Sequence, residues 1–322
     1  MTILGTFDFV HENLDPKKII RECDILLFAD GRISNRDKIL LDTAPKLTVL
    51  EIRVKQKNGN VLTSDVAVGY AGASALVALS VLSFASHVLK KMTGETLPDI
   101  DQVATFIGEA FKVSLNEYSQ NLLMSHNMST VICMYDAVLH KSQRRQMDVV
   151  WKDDRYQVNI SESPRALSLV SGPDPESLER SIHSATKNIN EQIDGEYAIV
   201  REVELYARAH SNEGPFGGQL QVCRIGDAGI KLATTSYWDY SYRGSDLNDD
   251  WNDGDFRTLL LGYDVFDLRV GQCDFVSDYI CYLPDSEKTS WAKETIKSEP
   301  RAFDDGEVFS RPRRGVRNFT IK

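Results

Sequence analysis

Three residues near the start of the chain have the types and spacing for hydrolytic chemistry. Asp30 closes the apolar run Ile25–Ala29, and Lys46, sixteen residues later, opens the β-rich run Leu47–Val54. Strand composition on both sides predicts that carboxylate and ammonium stand at the mouths of neighbouring strands, where binding and catalytic groups are commonly displayed. Upstream, Thr2 heads another apolar run, TILGTFDFV. A threonine hydroxyl is a poor nucleophile until a base takes its proton. With Met1 removed, Thr2 carries that base itself, because an α-amine titrates near about 8 and needs no histidine.

To hold those groups, the flanking sequence must form paired strands, and its patterning agrees. A polar turn over Gly31–Asp37 follows the aspartate. Thr48–Lys55 and Val61–Val68 flank Asn58-Gly59, the strongest short-range hairpin signal in the chain. A helix is predicted over Ala73–Met92, with Lys90 and Lys91 in its last turn, where cations suit the helix dipole. A second is predicted over Asp99–Leu123, where Val103, Ile107, Phe111 and Leu115 repeat every four residues. Thr130–Asp136, Met147–Lys152, Tyr156–Ile160 and Ala166–Val170 read as strands, and Pro173–Ile189 and Tyr197–His210 as helices. Gln219–Ile225 and Ile230–Ala233 close the series as a strand pair. This order predicts an α+β chain folded as a four-layer αββα sandwich. The polar segment His11–Glu22, HENLDPKKIIRE, is expected to loop out between the first two strands, since closure entropy grows slowly with length.

On these residues the chain resembles the proteasome-type N-terminal nucleophile hydrolases, the β-type subunits of proteasomes and the simpler bacterial threonine proteases. In that family a mature N-terminal threonine opens the first strand and an Ala-Asp-x-Arg turn ends the second, matched by Ala29-Asp30-Gly31-Arg32. A lysine at the spacing of Lys46 follows. Gly69-Tyr70-Ala71-Gly72 is similar to the family's glycine turn, and Leu169-Val170-Ser171-Gly172 to its Ser-Gly step. Phe216-Gly217-Gly218-Gln219 is similar to the Gly-Gly that leads into its late strands. The likeness spans about residues 2–234. It departs where the family has an aspartate and a serine before the two glycines, because this chain has Glu213 and Phe216. The 28 residues from Thr2 to Asp30 also exceed the family's compact hairpin.

The resemblance implies a threonine peptidase or amidase with Thr2 as nucleophile. Lys46, held by Asp30, would keep a positive charge beside the hydroxyl and favour its deprotonation. The amide of Gly72 would meet the developing oxyanion, a contact worth on the order of 3 kcal/mol in comparable sites. Ser171 and Glu213 would orient the amine, and Tyr70 would lie at the floor of the specificity pocket. No cofactor or metal is implied. A homo-oligomer admitting peptide or unfolded-protein substrates is, with an unfoldase or adaptor as partner.

Other readings stay open. Thr6 is a rival nucleophile, because Gly5-Thr6 resembles the junction at which family precursors cleave themselves. Thr2 would otherwise be the second residue of an ordinary strand, and Asp30 with Lys46 a surface ion pair worth under about 1 kcal/mol. A proteasome-like scaffold subunit without catalysis is the alternative function, its long first hairpin and C-terminal extension serving assembly. Cys23 stands only seven residues before Asp30, too few for a first strand to return.

Composition bounds the class. A chain of 322 residues with 42% hydrophobic and 26% charged content buries a sizeable core. Its net charge of −10 argues against general nucleic-acid or acidic-membrane binding. Five scattered cysteines, with no Cys-x-x-Cys, read as reduced thiols in a cytoplasmic protein. No secretory leader is expected, since charges interrupt the first twenty residues. Val66–Leu89 carries no charge and is long enough to span a bilayer, yet its serines and glycine turn predict a strand followed by a fully buried helix. The expected domains are 1–234 and a C-terminal extension, 235–322. In the extension the acidic, aromatic stretch 236–256 reads as a solvated loop, and 258–276 and 279–283 have strand composition. The basic tail RPRRGVRNFTIK reads as disordered or as a docking arm.

Overall fold

The computed structural model describes residues 3–15, 18–35, 38–41, 44–72, 75–122, 127–162, 167–171, 175–186, 199–206, 220–239, 255–261, 263–264, 269–270, 273–274 and 280–282. All lie in the compact unit Met1–Leu283. The chain opens with β1 (Leu4–Asp15), β2 (Lys18–Asp30), β3 (Ile33–Asn35), β4 (Lys38–Leu41), β5 (Leu47–Lys55) and β6 (Val61–Gly72). Two helices follow, α1 (Ala75–Leu89) and α2 (Ile100–Leu122), separated by the short β7 (Met92–Thr93). Then come β8 (Met128–Asp136), β9 (Lys141–Lys152), β10 (Arg155–Ser161) and β11 (Leu167–Ser171). A second helical pair is α3 (Pro175–Thr186) and α4 (199–206). The remaining strands are β12 (Leu220–Gly226), β13 (Gly229–Leu232), β14 (Thr234–Asp239), β15 (Asp255–Leu260), β16 (Tyr263–Asp264), β17 (Arg269–Val270), β18 (Cys273–Asp274) and β19 (Ile280–Tyr282).

Two sheets carry the fold, one ordered β11-β1-β2-β12-β13 and the other β10-β9-β8-β6-β5-β7. Strand alternation sends one face of each sheet inward and the other toward helices. Between the sheets pack Leu4, Leu27, Leu47, Ala67, Val131, Cys133 and Cys223. The outer face of the first sheet, with Ile3, Leu26, Phe28 and Val222, buries Leu178 and Ile182 of α3 and Val200 and Val203 of α4. The outer face of the second, with Ile52, Val68, Tyr70 and Ile132, buries α1 and α2. The α+β sandwich expected from the sequence is therefore observed, helices outside and two sheets within.

Five local expectations are corrected. His11–Glu22 does not loop out: β1 and β2 stay in antiparallel register from Leu4↔Ala29 to Asp15↔Lys18. The register sets Glu12 opposite Arg21 and Asp15 opposite Lys18. The strand before α1 runs to Gly72, and α1 is not fully buried, since Leu76, Leu79 and Phe84 of its outer side are exposed. β9 begins at Lys141 rather than Met147, because polar residues of Lys141–Gln146 find partners across the sandwich. Ser142 Oγ donates to Ile225 O at 2.9 Å, and Arg144 reaches Thr6 and Asp8. In the stretch expected as a loop, residues through Asp239 form β14, which pairs with β15 and, in parallel, with β19. No helix among the described residues is long and apolar enough to cross a membrane.

Candidate active site

β2 is buried from Asp24 to Asp30, and its apolar run leaves the last carboxylate no route to water. Asp30 is fully buried and Lys46 is 2% exposed. Their charges face each other, Lys46 Nζ donating to Asp30 Oδ1 at 2.8 Å. Removing two charges from water is unfavourable unless they pair and find further hydrogen bonds. Asp30 has them: its Oδ1 also accepts Ile3 N at 3.1 Å, and its own amide donates to Ile3 O at 3.1 Å. A surface ion pair is thereby excluded.

The short segment carrying Lys46 is held along its whole backbone. Ala44 N donates to Gly31 O at 2.9 Å, and Gln221 Nε2 donates to Ala44 O at 2.6 Å. Gln221 Oε1 accepts Lys46 N at 2.9 Å and Leu47 N at 3.2 Å. Tyr70 takes the remaining groups, its OH donating to Pro45 O at 3.1 Å and its amide to Lys46 O at 3.2 Å. Every backbone donor and acceptor from Ala44 N to Leu47 N is thus satisfied inside the protein, as buried peptide groups require. The ammonium stands on a rigid pedestal.

Sequence reasoning did not single out Gln221. Its signal was a neutral polar side chain between the apolar Leu220 and Val222 of a strand, since such a residue, when buried, must find partners. Tyr70, singled out as a pocket residue, packs in the core between the second sheet and its helices, and burial pushes its phenol up to about 12.

Of the other named residues, Ser171 and Gly72 lie on strands that pass this end of the sandwich. Leu4 pairs with Ala29 on one side and with Ser171 on the other, so β1 lies between Asp30's strand and Ser171's. Gly72 follows Tyr70 by two residues, about 7 Å along β6 at strand rise. Its φ of +150 and a Cβ that would lie 2.7 Å from Asn127 O both require glycine. Gly69 lets the sheets close here, because a Cβ there would sit 2.7 Å from Leu4 Cδ1 and 3.0 Å from Leu47 Cδ2. Thr2 and Glu213 lie outside the described residues, as does the side chain of Ser171.

Thr6 sits elsewhere. It pairs with Leu27, three rungs and about 10 Å below Asp30. It is 1% exposed, and its Oγ1 accepts Arg144 Nη1 at 3.1 Å. Arg144 also pairs with Asp8, whose carboxyl burial pushes up to about 6 against the pull of that guanidinium. Cys133 and Cys223 are free thiols in the core between the sheets, both raised by burial, Cys223 to about 12. Among the described residues no group of three or more His, Cys, Asp or Glu is placed to hold a metal ion.

No protein-family model matches the chain, and no curated protein does. Among solved structures, an Anbu mutant from Hyphomicrobium sp. strain MC1 is similar at 10% identity and a TM-score of 0.46, covering 72% of this chain and 84% of that one. Anbu from Yersinia bercovieri, described as an ancestral beta-subunit, is similar at 10% identity and a TM-score of 0.46, over 72% and 86%. A second Anbu structure from Hyphomicrobium gives 8% identity and a TM-score of 0.41, over 72% and 84%.

Proposed function

We propose that the chain is a proteasome-like threonine peptidase, cleaving peptide or amide bonds with Thr2 as its exposed terminus. One observation carries this reading. Ile3 N lies 3.1 Å from Asp30 Oδ1, the same oxygen that holds Lys46 Nζ at 2.8 Å. The residue before Ile3 is therefore joined by a single peptide bond to an amide in contact with a buried aspartate–lysine pair. That residue is Thr2.

In the reaction, the Thr2 hydroxyl attacks the scissile carbonyl carbon and its proton passes to the α-amine, directly or through water. Lys46 favours the alkoxide electrostatically from its pedestal, and the amide of Gly72 donates to the oxyanion. Collapse expels the leaving amine, which takes up the transferred proton, and water then hydrolyses the threonyl ester to restore hydroxyl and amine. Ser171 and Glu213 orient the amine; Tyr70 and Gln221 position Lys46. The geometry supports Thr2 over Thr6, because cleavage at Gly5-Thr6 would delete Ile3 and Leu4 from the core and leave Asp30 without its backbone partner. Domain 1–234 carries the chemistry, in a cytoplasmic homo-oligomer that an unfoldase or adaptor supplies with substrate.

Turnover of a fluorogenic peptide panel, with mass spectrometry of a peptide vinyl sulfone adduct, tests it. The adduct is expected on Thr2, with Thr2→Ala inactive and assembled as before. Unchanged turnover in that variant would remove Thr2 from the mechanism.

A further inference from the structure

α1 contains no Asp, Glu, Lys or Arg in fifteen residues. A surface helix normally turns charged residues outward, whereas the polar residues on the outer side of this one are Ser80, Ser83 and His87. Here the inner side, Val77, Val81, Leu82, Ala85 and Leu89, packs on the sheet, while Leu76 is 67% and Phe84 52% exposed. The exposed stripe Leu76, Leu79, Ser80, Ser83, Phe84, His87 continues onto α2, where Phe106 packs with its ring centre 6.0 Å from that of Phe84 and Val113 is 65% exposed. Large apolar side chains grouped on one exposed face, here Leu76, Leu79, Phe84 and Val113, mark an interaction site.

The charges at its two ends say what covers it. β6 delivers the chain to the start of α1 at Gly72, and α2 returns it to β8 opposite Gly72, so the two helices run antiparallel. At 1.5 Å per residue, Leu89 at the end of α1 lies about 8 Å beyond the Phe84–Phe106 contact in one direction, with Lys91 two residues past it, and Glu117 of α2 lies about 16 Å beyond the contact in the other. Both are exposed. Lys90 reaches Glu51 at 4.0 Å, whereas neither Lys91 nor Glu117 has a side-chain partner among the described residues. A patch with one unused cation at one end and one unused anion at the other is complementary to itself turned end for end.

We propose that this face is an isologous interface with a second copy of the chain, α1 crossing its equivalent antiparallel. The two-fold axis passes near Ser83, where small side chains admit close helix approach, and Lys91 of each copy meets Glu117 of the other. The proposal does not depend on the peptidase reading, and a turnover assay leaves it untouched.

Sedimentation velocity on the full chain, with Ser83→Cys crosslinking, tests it. Wild type is expected to associate, and Leu76→Glu with Phe84→Glu to halve the assembly mass. Lys91→Glu and Glu117→Lys alone should each weaken association by tenfold or more, and the two together restore it. Ser83→Cys, close to the axis, should form a disulfide between two copies under mild oxidation. A monomeric wild type, a charge swap that fails to restore association, or no Ser83→Cys crosslink in an associating protein each overturns the proposal; the last is the outcome expected if another partner or the chain's own tail covers the patch.

Discussion

Gln221 Oε1 accepts the amide of Lys46 at 2.9 Å from a position 175 residues further along the chain. The carboxamide also takes Leu47 N and gives its own proton to Ala44 O, so one side chain from the first sheet fixes the strand entrance of the second. Gln221→Leu keeps the volume and removes all three bonds. With each buried unsatisfied group costing about 1–3 kcal/mol, the variant is expected to lose at least about 2 kcal/mol. Hydrogen exchange gives the more specific readout: Lys46 and Leu47 amides should lose protection while β8 to β10 retain theirs. Uniform loss across both sheets would mean that Gln221 acts only through global stability.

Lys46→Met is expected to destabilise strongly, because it leaves the fully buried Asp30 without the cation 2.8 Å away. Losing one partner of a buried pair typically costs about 3–5 kcal/mol, and replacing both is far milder. Asp30→Asn combined with Lys46→Met should therefore recover much of the stability in urea titrations. Peptide turnover should stay absent in single and double variants alike. A single-variant loss below about 1 kcal/mol would contradict the buried pair.

Gly72→Ala places a Cβ 2.7 Å from Asn127 O at a φ of +150, so β6 and β8 must separate at the site. Strain of order 1–3 kcal/mol is expected, with a fall in kcat exceeding any rise in KM if the Gly72 amide serves the transition state. An unchanged kcat would take that amide out of the oxyanion role.

Asp8 sets a pH dependence of defined sign. Its carboxyl is pushed from 3.8 up to about 6 by burial, so between those values the folded protein holds a proton that the unfolded chain has released. Stability from this group is present below about pH 4 and is lost as pH rises through about 6. Urea midpoints of wild type minus those of Asp8→Asn should fall across that window. A difference that rises with pH would mean that the Arg144 contact outweighs burial.

The residue types, the sixteen-residue step from Asp30 to Lys46, the Asn58-Gly59 hairpin and the four-residue repeat of α2 are local quantities, and the sequence by itself determined them. It marked the outer face of α1 only faintly, through Ser80, Ser83 and His87 at helical spacing, and could not tell that Leu76, Leu79 and Phe84 would stay exposed beside them. Nor could it tell that His11–Glu22 continues a ladder, because polar alternation becomes a strand only when a partner supplies register. The polar run Lys141–Gln146 became strand for a similar reason, Ser142 and Arg144 finding acceptors on the opposite sheet. Only the tertiary structure brought Gln221 to Lys46 and Ile3 to Asp30. Those bonds join groups far apart in the chain, and burial made them obligatory: a peptide amide or a carboxylate taken from water must be met by whatever the fold places beside it.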